Sequence, residues 1–232
     1  MVEVVVPVPQ VSYVPVAGAA GQYPVRRIYC VGRNYAEHAR EMGKDPAREL
    51  PFFFLKPPEA IVINGSPVPY PPRTNNFHYE IELVAAIGKA GFQIKQESAL
   101  EHVFGYAVGN DYTRRDLQLA ARDKGRPWDT GKAFDRSAAI GAIHTVASIG
   151  HPTNARIWLS VNGEQRQRAD IADLIWSVPE IIVELSTFYV LQPGDLIYTG
   201  TPAGVGPVKP GDEVAGGIEG LGTLENRIVA AT

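Results

Sequence analysis

The chain has 232 residues, enough to bury a substantial core in one large domain or in one core with elaborations. Its 45% apolar and 20% charged residues are ordinary for a soluble globular protein. The 22 basic and 25 acidic side chains give a formal charge of −3 with no basic block, which argues against nucleic acid as a partner. The single cysteine, Cys30, excludes an intramolecular disulfide and a cysteine-based zinc site, and a reducing compartment is the simple expectation.

In chain order, the opening run MVEVVVPVPQ is short and is broken by Pro7 and Pro9. The first positive side chain is Arg26, so the run reads as neither a signal peptide nor a membrane span, and a cytoplasmic protein is expected. Residues 1–24, rich in Val, Pro and Gly, read as an extended arm. Residues 26–32 read as a short strand. NYAEHAREMG then reads as a helix that Asn34 can cap and Gly43 can stop. Residues 52–55 form another apolar run, ended by Pro57 and Pro58, and a turn-rich stretch follows. HYEIELVAAIG (78–88) begins with strict alternation and predicts a strand, and residues 103–110 predict a second one ending at Asp111. Thr113 and Asp116 have capping-box spacing, opening a helix to about residue 124 with Gly125 as its stop. Residues 157–161 with Asn162-Gly163 predict a hairpin with a type I′ turn. Ser177-Val-Pro-Glu180 opens a helix through about residue 189. Pro193-Gly-Asp195 is a turn, residues 196–199 are a strand running into TGTPAGVGP, and residues 223–229 are the last strand. Strands dominate without regular β-α-β alternation, so a β-rich α+β fold is expected rather than a doubly wound one.

Glu80 and Glu82 stand at i and i+2 of a strand, so both carboxylates leave one face while Tyr79, Ile81 and Leu83 leave the other. An E-x-E pair alone is usually a solvated polar face. Here the apolar run Val84–Ile87 follows at once, which places the pair at the edge of a core. Two neighbouring carboxylates with reduced hydration need a compensating charge, and a divalent cation supplies it directly. Asp111, at a strand-to-helix junction, offers a third hard oxygen donor. Such a set suits Mg²⁺, Mn²⁺ or Ca²⁺ and not zinc or copper. His38 and Glu41 lie three apart on one helix, the arrangement of a general base oriented by a carboxylate, although a surface ion pair has the same spacing. Lys132, among Trp128, Ala133 and Phe134, is a candidate to stabilise an enolate or alkoxide. GRPWDTGKA is not a phosphate-binding loop, because the spacing is one residue too long and Ala133 replaces the required hydroxyl. The loop from Thr199 to Gly206 can present N–H groups and a threonine hydroxyl to a carboxylate.

Six ordered segments resemble the fumarylacetoacetate hydrolase superfamily: CVGRNYAEHAREMG (30–43), PFFFLKP (51–57), HYEIELVAAIGK (78–89), GYAVGNDYTRRDLQ (105–118), GRPWDTGKAFD (125–135) and GDLIYTGTPAGVGPV (194–208). Within that superfamily the sequence is most similar to bacterial fumarylpyruvate hydrolases of gentisate-type aromatic breakdown, then to mitochondrial-type acylpyruvases. The resemblance implies a mixed β-sandwich roll over residues 25–232, usually a homodimer. It implies a metal triad of Glu80, Glu82 and Asp111 holding Mg²⁺ or Mn²⁺, a water-activating pair of His38 and Glu41, a catalytic Lys132, and substrate contacts from Arg33, Gln118 and Thr201. One departure stands out: eukaryotic fumarylacetoacetases draw a further ligating carboxylate from an N-terminal domain that a chain of this length does not hold. The implied reaction is hydrolysis of a carbon–carbon bond in a small 2,4-diketo acid, with fumarylpyruvate foremost. An acetylpyruvate-type acylpyruvase and an oxaloacetate decarboxylase or keto–enol tautomerase are the alternatives on the same scaffold. For a carboxylate at the far end of the acyl group, Arg33, Arg73, Arg114 and Arg115 are equal candidates in sequence.

Overall fold

Alternation along the strand Ile81–Ile87 organises the fold, because both of its faces are buried. Ile81, Leu83, Ala85 and Ile87 enter one core while Val84 and Ala86 enter a second. The structure is a computed structural model and describes residues 4–41 and 49–231, with the side chains of residues 39–41 outside that description. Gly43, the expected helix stop, also lies outside it.

The strand Ile81–Ile87 is central in an eight-stranded mixed sheet. The strands run in the order Phe52–Lys56, Arg27–Gly32, Asp195–Tyr198, Ile81–Ile87, Val103–Asp111, Ala138–Ile140, Ile61–Ile63, and His144–Thr145 also pairs with Val103–Asp111. A five-stranded sheet (Glu164–Asp170, Arg156–Val161, Glu213–Ile218, Gly222–Val229, Val68–Pro69) packs against it. Ile157, Leu159, Val214 and Leu224 meet Ile81 and Leu83 in the larger core, which Ile181, Ile182 and Leu185 of the helix Val178–Phe188 complete. The smaller core lies on the opposite face of the large sheet, where Val84, Ala107, Ile140 and Tyr198 are covered by Val14 and Tyr23. Those two residues belong to a hairpin of Tyr13–Pro15 and Gln22–Pro24, so the segment expected to be a plain extended arm is partly paired. Residues 4–10 before it are exposed and carry no regular structure. The β-rich α+β expectation holds, and the Asn162-Gly163 turn has the positive φ values (52° and 80°) of type I′. Glu180 closes back on Ser177 as expected, accepting from its N–H (2.9 Å) and hydroxyl (2.7 Å). Among the described residues no helix is long and apolar enough to cross a membrane.

Three local expectations are corrected. The strand expected over residues 78–88 is interrupted at Glu80. Phe77–Tyr79 pairs in a separate three-stranded sheet with Thr113–Arg114 and Gly206–Val208, and the Glu80 N–H donates sideways to Asn110 Oδ1 (2.8 Å). Thr113 and Asp116 do not form a capping box. The Thr113 hydroxyl donates to the Asp111 carbonyl (3.0 Å), and Asp116 accepts from Thr74 and from the Asn75 N–H (3.0 Å). Asn34 does not spend its side chain on the helix Ala36–Glu41. Its amide donates to the carbonyls of Trp176 (2.9 Å) and Thr199 (2.8 Å) and accepts from the Trp176 N–H (2.7 Å). Tertiary partners take the Asp116 carboxylate and the Asn34 amide, while the Thr113 hydroxyl turns back to a carbonyl two residues before it.

Candidate metal centre and active site

Glu80 and Glu82 stand close together across the break, and the antiparallel neighbour brings Asp111 beside them. The Asp111 N–H donates to the Glu80 carbonyl (2.8 Å) and Ile81 pairs with Asn110. All three carboxylates are buried, and their ligand-type oxygens lie within 4.8 Å of one another.

Three buried cations face this triad. Lys132 Nζ donates to Glu80 Oε2, Asp111 Oδ2 and the Thr113 hydroxyl, each at 2.7 Å. Arg115 pairs with Glu80 Oε1 and donates to Gln118 Oε1. Lys56 Nζ stands 2.7 Å from Asp111 Oδ1, close enough for an ion pair but not aligned as a directed hydrogen bond, so that oxygen keeps lone-pair capacity. Lys56 is fixed there by the carbonyls of Tyr112 (3.1 Å) and Lys132. Lys132 comes from a one-turn helix, Asp129–Lys132, that approaches the helix Arg115–Asp123 very closely. A Cβ on Gly131 would lie 2.7 Å from the Gln118 backbone nitrogen, so only glycine fits.

Charge is unevenly distributed over the triad. Burial alone would raise the Glu80 carboxyl, but Lys132, then Arg115 and His38, outweigh it and hold Glu80 below the usual carboxylate range. Burial also acts on Lys132, and the carboxylates of Asp111 and Glu80 outweigh it, so its ammonium is held charged more firmly than usual. Glu82 goes the other way: burial, then Asp111 and Glu80, push its carboxyl well above the ordinary value. Its hydrogen bond comes from the Gly200 N–H (2.7 Å), presented by a loop at φ +102° where a Cβ would strike Asn34. The loop expected to offer its N–H groups to a ligand thus gives one of them to Glu82. A carboxylate set of hard oxygens that is short of positive charge at Glu82, with lone-pair capacity on Asp111, fits a divalent cation.

One cavity is lined by Glu80, Glu82, His38, Lys132, Arg33, Gln118 and Thr201, so the structure unites these expected residues, with Asp111 fully buried behind Lys132. The side chain of Glu41 lies outside the described residues. Of the arginines proposed for a distal carboxylate, Arg73 is exposed, Arg114 lies over the Phe134 ring (4.2 Å) outside the cavity, and Arg115 is committed to Glu80. Arg33 remains, and Arg122, which the sequence did not single out, also lines the cavity. Sequence reasoning missed two further residues. Lys56 is one. The other is Gln167, whose buried amide donates to Thr201 Oγ1 (2.9 Å) and the Pro202 carbonyl (2.8 Å) and accepts from the Ile81 N–H (3.1 Å). It ties the glycine-rich loop to the strand between the two glutamates.

Residues 27–229 match the family description "Fumarylacetoacetate (FAA) hydrolase C-terminal". The chain belongs to the fumarylacetoacetate hydrolase family. It is 52% identical over 185 residues to a fumarylpyruvate hydrolase from Ralstonia sp, covering 79% of this chain and 96% of that protein. Its structure matches the crystal structure of fumarylpyruvate hydrolase from Pseudomonas aeruginosa in complex with Mn²⁺ and pyruvate. That match has a TM-score of 0.96 and 55% identity, and covers 98% of this chain and 100% of the other. It is also 42% identical over 203 residues to a mitochondrial oxaloacetate tautomerase from Homo sapiens, covering 88% of this chain and 91% of that protein. Fold and family thus agree with the ordered segments in the sequence.

Proposed function

We propose that this member of the family hydrolyses the carbon–carbon bond of an acylpyruvate, with fumarylpyruvate as substrate and fumarate and pyruvate as products. The observation that carries this reading is a hard-oxygen triad, short of positive charge at Glu82, of which Glu80 and Glu82 share one cavity with the buried His38. The two fumarylpyruvate hydrolases at 52% and 55% identity support the choice of acyl group. Glu80, Glu82 and Asp111 would hold the metal, Mn²⁺ or Mg²⁺. When bound it supplies a Lewis acid for the oxygens of the pyruvate half.

His38 takes a proton from water at a ring nitrogen, and the water oxygen bonds to the 4-keto carbon. The bond between C3 and C4 then breaks, its electron pair passing to the pyruvate half as an enolate. Protonation at C3 gives pyruvate, and the acyl half leaves as the free acid, so one water is consumed per bond broken. Lys132 holds Glu80 and Asp111 in register and places a positive charge beside the developing oxyanion. Arg33, Gln118 and Thr201 hold the substrate against this centre, and Glu41 orients His38. A homodimeric, cytoplasmic enzyme of aromatic catabolism is the setting that fits this chemistry.

The test is the loss of the substrate's enol absorbance on adding the purified chain. Activity should vanish with a chelator and return with Mn²⁺ or Mg²⁺, and Glu80→Ala should lose both metal content and turnover. Retention of both would overturn the assignment. The tautomerase relative at 42% identity favours a second reading, oxaloacetate keto–enol exchange, which needs no attacking water. His38→Ala separates them, because it should abolish hydrolysis and spare tautomerisation.

A further inference from the structure

The helix Arg115–Asp123 turns one face to the cavity: Arg115, Gln118, Leu119 and Arg122, at helical spacing. Arg115 marks the metal end of this face through its pair with Glu80. Arg122 stands seven residues on, about 10 Å further along the helix axis. Lys132 and Arg115 are already committed to carboxylates of the protein, and the Arg33 guanidinium lies over the Phe52 ring at 5.3 Å. Arg122 is held differently. Its Nε and Nη2 donate to Asp123 Oδ1 (3.0 and 2.9 Å), a chain neighbour whose side chain is 63% exposed against 31% for Arg122. So exposed a pair contributes little and is readily exchanged for a better-placed anion.

We propose that Arg122 is a specificity residue that receives the distal carboxylate of the substrate's acyl group. The site would then prefer acylpyruvates ending in a second carboxylate to those ending in a methyl group. With the keto-acid end at the carboxylate triad, the acyl chain runs along the helix past the Gln118 amide and the apolar Leu119 side chain. Its terminal carboxylate meets the guanidinium, whose planar fork matches carboxylate geometry. This inference rests on the acylpyruvate reading for the identity of the substrate, but not for the test of Arg122.

The test uses the Mn²⁺-loaded chain and two ligands that cannot be cleaved, 2-oxopimelate and 2-oxoheptanoate, which differ only in the terminal carboxylate. Calorimetry should show the wild type binding the diacid about ten- to a hundred-fold more tightly, the range of a charge-assisted hydrogen bond. Arg122→Met should remove most of that preference and Arg122→Lys should restore part of it. An unchanged preference in Arg122→Met, or no preference in the wild type, overturns the proposal. Kinetics form the second arm: the kcat/KM ratio for fumarylpyruvate over acetylpyruvate should fall by a similar factor in Arg122→Met, mainly through KM. A wild type that turns over neither substrate refutes the hydrolase reading, while calorimetry still decides the role of Arg122.

Discussion

Lys56→Met isolates a buried charge that touches the triad from outside the cavity. Methionine keeps an unbranched stem and removes the ammonium that stands 2.7 Å from Asp111 Oδ1, where both side chains are fully buried. Removing one partner of a buried pair costs about 3–5 kcal/mol. Lys132 still pairs with Asp111 Oδ2, so about 3 kcal/mol is the expected loss. For a chain of this size that lowers Tm by roughly 6–12 °C. The same change leaves the three carboxylates facing two buried cations, Lys132 and Arg115, and the site should draw a divalent ion more strongly. The assay is thermal unfolding by circular dichroism of chelator-treated wild type and variant, each with and without Mn²⁺. The variant should melt lower without metal and gain more from Mn²⁺, since a ligand of the folded state stabilises more as its Kd falls, with the logarithm of its concentration over Kd. A metal-free variant within about 2 °C of wild type would refute the ion-pair reasoning. A smaller Mn²⁺ gain in the variant would refute the charge reasoning.

His38→Ala should lower hydrolysis by at least about a hundred-fold without changing metal content. Full activity in that variant removes His38 as the base. Gln167→Leu strands the Ile81 N–H and the Pro202 carbonyl, at about 1–3 kcal/mol each, and should lower Tm and raise KM together. Unchanged values of both would show that the glycine-rich loop does not depend on this amide. Burial pushes the Asp116 carboxyl up, but hydrogen bonds from Thr74, Asn75 and Leu117 outweigh it and hold the carboxyl below the ordinary value of 3.8. A depressed carboxyl stabilises the fold above 3.8 and loses that contribution as the pH falls through its folded value. Asp116→Asn should therefore melt below wild type at neutral pH, with the gap closing as the pH falls below 3.8. A gap independent of pH would contradict this.

The carboxylate triad was legible because its signal is local. A period of two puts Glu80 and Glu82 together whatever the topology, and a strand end presents Asp111. Lys56, one of the cations that face it, was hidden because it arrives by topology. Lys56 closes an apolar run, PFFFLKP, and nothing local marks it as the partner of a carboxylate 55 residues away. Gln167 sits in EQRQRAD, where charge and amide side chains suggest a solvated strand, yet it alone among the first five of those residues turns inward. Thr113 and Asp116 show the opposite error, a real local spacing whose carboxylate finds the distant Thr74 and whose hydroxyl accepts from the distant Lys132 instead. Arg122 reads as an ordinary surface arginine near a helix end until the fold sets that helix along a cavity.

The break in the strand at Glu80 also bears on the order of assembly. Residues 77–79 join one sheet and residues 81–87 another, so the first metal-type ligand sits on a seam between two separately paired structures. Asp111 lies at the end of a strand whose next residues, Thr113–Arg114, cross to the same small sheet. Glu82 and Asp111 lie on paired strands of the large sheet, and Glu80 stands where the chain passes from the small sheet into it, so the three carboxylates come together only when both sheets are paired. An ion that binds all three carboxylates therefore has little affinity for partly assembled chains. It would act as a latch that favours the finished molecule and leaves earlier intermediates untouched.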